Sequence, residues 1–410
     1  MDVRFLGGAR EIGRSAILVD DRLLLDYGMA GGTPPRYPPD VDPDAVLVSH
    51  GHLDHGGMIP KLLAGGDRPP IHWTPPTRDL VRLLALDTID LQRDRYNRPF
   101  TRNEVQALGE VSVTHGYGDP FEVAGYEVTF FPAGHIPGSA HVLVDDGHTR
   151  LLYTADFHTE GQRLLSPSQD RPAADVVIVE STYADRERPA RESIEEAFVS
   201  HLRQTRYEGG SVVVPAFAIG RTQEILMICA AHDIECYVDG MGTTVLDQFR
   251  RRPAYVRDPE ALRRASAHAR RVAGRDGQRE RIASSGTVIV TTAGMLTGGP
   301  AMSYVPAVAP NPTHSIALTG YQVEDTPGRE LLERKRADLD GQTVRASATV
   351  RQFDFSAHAD RNGLLSFLEA YRDATVLVNH GDACVRFADD LRATGFDAHA
   401  PERGETVRPS

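Results

Sequence analysis

The chain has 410 residues, 40% hydrophobic and 25% charged, an ordinary globular composition that excludes a disordered, collagen-like or coiled-coil protein. At ~150 residues per domain it holds two or three domains; no run of about 18 apolar residues is present to span a membrane, and residues 1–5 lack the basic-then-apolar form of a signal peptide. Forty-five basic against 57 acidic residues give a net charge of −12, so any contact with nucleic acid must rest on a local patch.

Residues 3–6, 16–19, 22–26, 45–49, 127–131, 142–145, 150–154 and 176–180 are short apolar or alternating runs, many bounded by Gly, Pro or Asp-Asp, and are expected to be strands. Helical spacing occurs at 56–64 and 77–92. From about residue 186 the style changes: a helix at 190–206, a continuous apolar strand at 211–214, a helix at 221–232, then strands at 236–238, 287–290 and 315–318. Continuous apolar strands alternating with helices indicate a parallel, doubly wound sheet. From about 350 the earlier style returns, with a strand at 374–378. The expected organisation is a first domain made of 1–185 and 350–410, interrupted by a second at 186–349. The three cysteines, Cys229, Cys236 and Cys384, are too few for a disulfide framework and fit a reducing cytoplasm.

The strongest local signal is His50-Gly51-His52-Leu53-Asp54-His55, directly after the apolar run 45–49 and before a short expected helix. Imidazole and carboxylate ligands so close together suit Zn²⁺, with Mn²⁺ or Fe²⁺ as alternatives. Further ligand-type residues stand at other strand ends: Asp26, His135, Asp156, Glu180 and His380. A single carboxylate at a strand end is usually a turn or cap residue; five such residues in one chain are a pattern.

In the order Asp26, His50-x-His52-x-Asp54-His55, His135, Asp156, the chain resembles the metallo-β-lactamase fold's sequential motifs. Glu180-Ser181-Thr182-Tyr183, the run from Val214-Pro215-Ala216-Phe217 through Gly220-Arg221-Thr222-Gln223-Glu224, and Gly320-Tyr321-Gln322 resemble the β-CASP nucleases. Phe355-Ser356-Ala357-His358-Ala359 and Asn379-His380-Gly381-Asp382 resemble that group's last two histidine motifs, in the form of the archaeal cleavage and polyadenylation specificity factor branch, here as its short kind without KH domains. The resemblance implies an α/β protein, a metallo-β-lactamase αββα sandwich with an inserted doubly wound β-CASP domain, and an active site in the cleft between the two. It implies one metal on His50, His52 and His135, another on Asp54, His55 and His380, Asp156 bridging them, and Asp26 orienting a histidine ring. Two Zn²⁺ per chain are expected, Mn²⁺ being the alternative. Asp54, His358 and Glu180 form the implied catalytic set, with His358 as general acid and Glu180 orienting it.

The implied function is metal-dependent hydrolysis of RNA phosphodiester bonds, by endonuclease or 5′-to-3′ exonuclease action, in the cytoplasm. A homodimer is a possible assembly. Two alternatives stay open: a small-molecule metallo-hydrolase of the same fold, and a non-catalytic scaffold subunit of an RNA-processing complex. For RNA contact, eleven arginines lie between 250 and 281 against four acidic residues. A helix is expected from a cap at Asp258 to a stop at Gly274, its pairs Arg263-Arg264 and Arg270-Arg271 recurring on one face to hold phosphates. Tyr321 and Phe217 are candidates for stacking on bases. Lys61 and Lys335 are the only lysines, and 35 Asp exceed 22 Glu; GC-rich codon usage accounts for the first, and adaptation to high salt accounts for both.

Overall fold

The computed structural model describes residues 1–409 apart from 33, 67 and 93–97. The chain forms two compact units. One is Met1–Glu160 with Pro167–Glu187 and Ala357–Ser410; the other is Gly161–Ser166 with Arg188–Ser356.

The first unit is built on two seven-stranded sheets. In spatial order the first runs Thr406–Val407, Val3–Gly7, Ala16–Val19, Leu23–Leu25, Ala45–Leu47, Ile71–Trp73, Ser112–Thr114. The second runs Asp397–His399, Thr375–Asn379, Val176–Glu180, Arg150–Tyr153, Ala140–Asp145, Tyr126–Pro132, Phe121–Val123. Alternate residues of each strand serve different cores, because side chains project to opposite faces with period two. Phe5, Leu25, Val142 and Ile178 meet in the layer between the sheets. Leu6 and Leu24 point outward into a core shared with Val81 and Leu108, from the helices Pro75–Leu91 and Arg102–Val111. Val177 and Val179 point outward on the other side, against Phe367 and Phe387 of the helices Arg361–Leu368 and Cys384–Ala393. Burial on both faces is why these strands read as unbroken apolar runs. The result is the expected αββα sandwich.

The second unit holds a six-stranded sheet in the order Arg270–Arg271, Cys236–Asp239, Val288–Thr291, Val212–Pro215, Ser315–Leu318, Thr349–Gln352. Every pairing in it is parallel, as helix-alternating apolar strands require. Thr349–Gln352 adds to the edge of this sheet, so the second unit continues through Ser356. Its helix Arg221–Ala231 buries Glu224, which accepts the Leu164 amide at 2.8 Å and pairs with Arg191 at 2.9 Å. Glu224 is 1% and Arg191 7% exposed, so neither charge has water to fall back on. Removing one partner of such a pair costs ~3–5 kcal/mol, since the other is left buried and uncompensated. Glu224→Ala is therefore expected to lower unfolding stability by about that amount in a denaturant titration; a loss below about 1 kcal/mol would mean that water reaches Arg191.

The arginine-rich segment departs from expectation. Asp258 does cap a helix, its carboxylate accepting the Ala261 amide at 2.8 Å, but that helix is Pro259–His268 and stops well before Gly274. Arg270–Arg271 is a short strand paired with Tyr237 and Val238. Tertiary partners outweigh helical propensity here: His268 Nε2 donates to the Ile234 carbonyl at 2.8 Å, and Arg271 forks onto Asp247 at 2.6 and 2.7 Å. Arg263-Arg264 and Arg270-Arg271 thus do not share a helical face, which corrects that expectation.

Candidate active site

The ligand-type side chains come from chain segments that leave strands of the first unit. His50 follows Ala45–Leu47, Asp26 follows Leu23–Leu25, His135 follows Tyr126–Pro132, Asp156 follows Arg150–Tyr153, and His380 follows Thr375–Asn379; Glu180 ends its own strand. Asp26, Ala155 and His380 have φ of 58°, 47° and 48°, a left-handed backbone that non-glycine residues rarely adopt. The surrounding fold holds the backbone in this conformation at three strand ends. His380 is fixed on both sides: its amide donates to the Gly8 carbonyl at 2.8 Å, and its carbonyl accepts from the Ser181 amide at 3.0 Å.

The expected helix at 56–64 is instead one turn, Leu53–Gly56, beginning inside the histidine motif, and a separate 3₁₀ turn at Ile59–Leu63. The carbonyls of Leu53, Asp54 and His55 accept the amides of Met29, Ser15 and Tyr27 at 2.8 Å each. These cross-links pin the motif to its neighbours and leave little for a longer helix. Gly28 permits the close approach, because a Cβ there would lie 1.7 Å from the Asp54 carbonyl oxygen.

Two groups of side chains bring potential ligand atoms within 4.8 Å of one another: His50, His52, His135 and Asp156, and then Asp54, His55, Asp156 and His380. Asp156 belongs to both. Its Oδ2 lies 3.5 Å from His50 Nε2 and 3.7 Å from His135 Nε2; its Oδ1 lies 3.4 Å from His55 Nε2 and 3.6 Å from His380 Nε2. A third group, Asp156, Glu180 and His358, adjoins them.

The outer hydrogen bonds set the ring orientation. His55 Nδ1 donates to Asp26 Oδ2 at 2.7 Å, His135 Nδ1 to the Ala357 carbonyl at 2.8 Å, and His50 Nδ1 to Ser49 Oγ at 3.1 Å; His380 Nδ1 is hydrogen-bonded to Ser15 Oγ at 2.9 Å. With Nδ1–H engaged, a neutral ring turns the Nε2 lone pair inward. Asp26 is fully buried and also accepts from the Ser49 amide and hydroxyl, each at 2.7 Å, and from the Tyr153 hydroxyl at 2.9 Å. His50 Nε2, His55 Nε2 and Asp156 Oδ1 are buried with no hydrogen-bond partner. Buried polar atoms are ordinarily paired, so three inward-facing orphans of metal-ligand type fit a cation site.

Electrostatics agrees with that fit. Burial pushes His50 and His135 well below the usual imidazole range, and His52 down to about 4, so these rings stay neutral as ligands must. Burial also works against a charged His55, but Asp156 and Asp26 outweigh it and hold the ring well above its ordinary value. The carboxylates facing His55 thus demand positive charge between them. Burial disfavours the Asp156 carboxylate, yet His380, His55 and His358 more than compensate and keep it ionised. His358 Nδ1 lies 3.0 and 3.2 Å from the two oxygens of Glu180, and 3.9 Å from Asp156. Burial lowers the His358 pKa; Glu180 and then Asp156 overcome it and raise it, which favours the protonated ring. Glu180 is itself fixed by the Phe157 amide at 2.9 Å.

Three family models match the chain: a beta-lactamase superfamily domain over residues 22–208, a Beta-Casp domain over 222–331, and a Zn-dependent metallo-hydrolase RNA specificity domain over 343–401. RNase aCSPSF2 of Saccharolobus solfataricus is 32% identical over 99% of this chain and 85% of its own length. The chain belongs to the metallo-β-lactamase/β-CASP family. Among other β-CASP relatives, a probable RNase, MJ4, of Methanocaldococcus jannaschii is 29% identical over the full length of both chains. A transcription termination factor, FttA, of Methanosarcina mazei is 32% identical over 99% of this chain and 71% of its own. A crystal structure of a protein of unknown function from Enterococcus faecalis V583 superposes with a TM-score of 0.65 at 14% identity, covering 99% of each chain, which shows a shared fold.

Of the residues singled out in this β-CASP sequence, the structure brings together Asp26, His50, His52, Asp54, His55, His135, Asp156, Glu180, His358 and His380. Arg263, Arg264, Arg270, Arg271 and Tyr321 lie in the second unit. Arg263 pairs with Glu260 at 2.8 Å, Arg264 with Asp258 at 3.9 Å, and Arg270 with Glu235 at 3.3 Å, so much of their charge is answered within the chain. Phe217 and Tyr321 follow the neighbouring strands Val212–Pro215 and Ser315–Leu318; Phe217 is 39% exposed and Tyr321 half-buried. Four contributors are not of ligand type and are not marked as supports by the sequence: Ser15, Ser49, Tyr153 and the Ala357 carbonyl. Ser49 adjoins the first histidine motif and Ala357 lies within the motif that carries His358.

Proposed function

We propose that this chain is a metal-dependent ribonuclease that hydrolyses RNA phosphodiester bonds by endonuclease action, 5′-to-3′ exonuclease action, or both. The observation that carries the reading is one carboxylate, Asp156, shared by two four-residue ligand groups and adjoined by the His358–Glu180 pair. The RNA specificity domain model and the ribonucleases among the relatives support RNA over a small ester. His50, His52 and His135 would hold one Zn²⁺, Asp54, His55 and His380 another, and Asp156 both, with Mn²⁺ as the alternative. Bound there, the metals would supply positive charge for the phosphate and acidify water at neutral pH.

The chain's own residues do the rest. Asp26, Ser15, Ser49 and the Ala357 carbonyl hold the imidazole rings in their inward-facing tautomers. Asp54 completes the second ligand group and lies 3.6 Å from His380 Nε2. Glu180 keeps His358 oriented and protonated through Nδ1, leaving Nε2 to deliver a proton to the departing oxygen.

The test uses RNA labelled internally or at its 5′ end, incubated with the purified protein, with excess chelator, and with Zn²⁺ or Mn²⁺ restored. Cleavage that disappears on chelation and returns with metal is expected. Cleavage that persists in excess chelator, or hydrolysis of thioesters or lactams with RNA untouched, refutes the reading.

A further inference from the structure

The arginines of the second unit differ in how they are partnered. Between 258 and 281 most serve nearby carboxylates: Arg263 on Glu260 at 2.9 Å, Arg271 on Asp247 at 2.6 and 2.7 Å, Arg279 on Asp239 at 2.8 Å. The hairpin formed by Arg336–Leu339 and Gln342–Arg345 is arranged otherwise. Its register sets Arg336 directly opposite Arg345, and Ala337 opposite Val344. Ala337, Leu339 and Val344 are buried in the core of this unit, so Arg336 and Arg345 share the outer face, where both are exposed. Arg334, at the end of the helix Pro327–Arg334, is exposed just before them.

Asp338 shares this face of the hairpin, two residues from Arg336, but forms no ion pair with the arginines. Among the described residues, no carboxylate lies within ion-pair distance of Arg334, Arg336 or Arg345, and none of the three guanidinium groups has another polar partner. The closest acidic residues in sequence are engaged: Glu333 pairs with Arg329 at 2.6 Å, and Asp338 accepts the Gly341 amide at 2.7 Å to close the hairpin turn. Lys335, one of the two lysines in the chain, adds charge and ties the segment down by donating to the Val350 carbonyl at 3.2 Å.

Like charges directly opposite one another destabilise an antiparallel pair. A chain with 57 acidic residues had ample means to place a carboxylate at either position. An anionic ligand converts the cost into a gain, since Cβ atoms so opposed are ~4.5–5.5 Å apart and both guanidinium forks can close on one phosphate or on successive ones. We propose that the outer face of this hairpin, Arg336 and Arg345 with Arg334, is a contact surface for the sugar-phosphate backbone of RNA, gripping the strand without reading its bases. The proposal rests on the ribonuclease reading above.

The test compares the wild-type holoenzyme with Arg336→Gln/Arg345→Gln. On an RNA of about 20 nucleotides the variant is expected to show a higher KM and an unchanged kcat, and the slope of log(kcat/KM) against log[salt] should become shallower by about 1.4, at ~0.7 for each phosphate no longer neutralised. Hydrolysis of bis-p-nitrophenyl phosphate, which has no sugar-phosphate strand to grip, should not change. Arg345→Glu makes an opposite-charge pair with Arg336, so it should raise the melting temperature while weakening RNA turnover further. A variant that matches a wild type active on RNA in both KM and salt slope overturns the hairpin proposal alone, as does an equal loss on both substrates. A wild type that neither binds nor cleaves RNA overturns the ribonuclease reading, and the hairpin proposal with it.

Discussion

His358→Ala is expected to retain its metals and its RNA affinity but to lose RNA cleavage by ~10²–10⁴-fold, the usual contribution of a general acid. The geometry gives the reason. His358 adjoins Asp156 at 3.9 Å, yet both oxygens of Glu180 claim its Nδ1 at 3.0 and 3.2 Å, so this nitrogen is held by a carboxylate and Nε2 is left for the proton. A ribose oxygen leaves poorly without a proton, whereas p-nitrophenolate leaves unaided. Hydrolysis of bis-p-nitrophenyl phosphate should therefore fall much less than cleavage of RNA. Glu180→Gln should give a milder form of the same contrast, because it removes the charge that raises the His358 pKa while keeping a hydrogen-bond acceptor. Equal slowing of both leaving groups, or loss of metal from His358→Ala, would make His358 a ligand or a structural residue.

The contrast between His358 and the arginines shows what a sequence can carry. Period-two apolar runs are a local signal, and each strand end they predict is a place where a polar side chain can leave the sandwich. That is why His50, Asp156 and His380 are identifiable although more than 300 residues separate the first from the last. The supports of those ligands are not. Ser15 holds His380 across 365 residues, and the Ala357 carbonyl holds His135 across 222. A serine or a main-chain carbonyl has no signature of its own; only the fold gives it a partner. Arg270 and Arg271 mislead for the same reason in reverse. Their spacing from Arg263 and Arg264 suits a helix, but the open edge of Cys236–Asp239 and the Asp247 carboxylate offer the chain better partners than another helical turn. Charge density along a sequence does not reveal which charges are already answered, and the hairpin arginines, fewer and less conspicuous, are among those left without an ion-pair partner.

Asp156→Ala is expected to strip both metal sites at once. Wild-type protein should carry about two metals per chain, the number that its two ligand groups would hold. His52→Ala removes a ligand from one group only and should lose about one. Asp156 is different because its oxygens are divided between the groups: Oδ2 faces His50 and His135, Oδ1 faces His55 and His380, all within 3.7 Å. Without that carboxylate, four imidazoles converge on a buried space with no bridging negative charge, and no second carboxylate is common to both groups. Metal content measured by elemental analysis after dialysis should fall well below one per chain, and RNA cleavage and diester hydrolysis should disappear together, unlike the split expected for His358→Ala. Circular dichroism and a melting curve on the same sample separate loss of metal from loss of fold. A folded Asp156→Ala protein that keeps its full metal complement would show that the two groups do not depend on a shared carboxylate, and the ligand assignment would have to be abandoned.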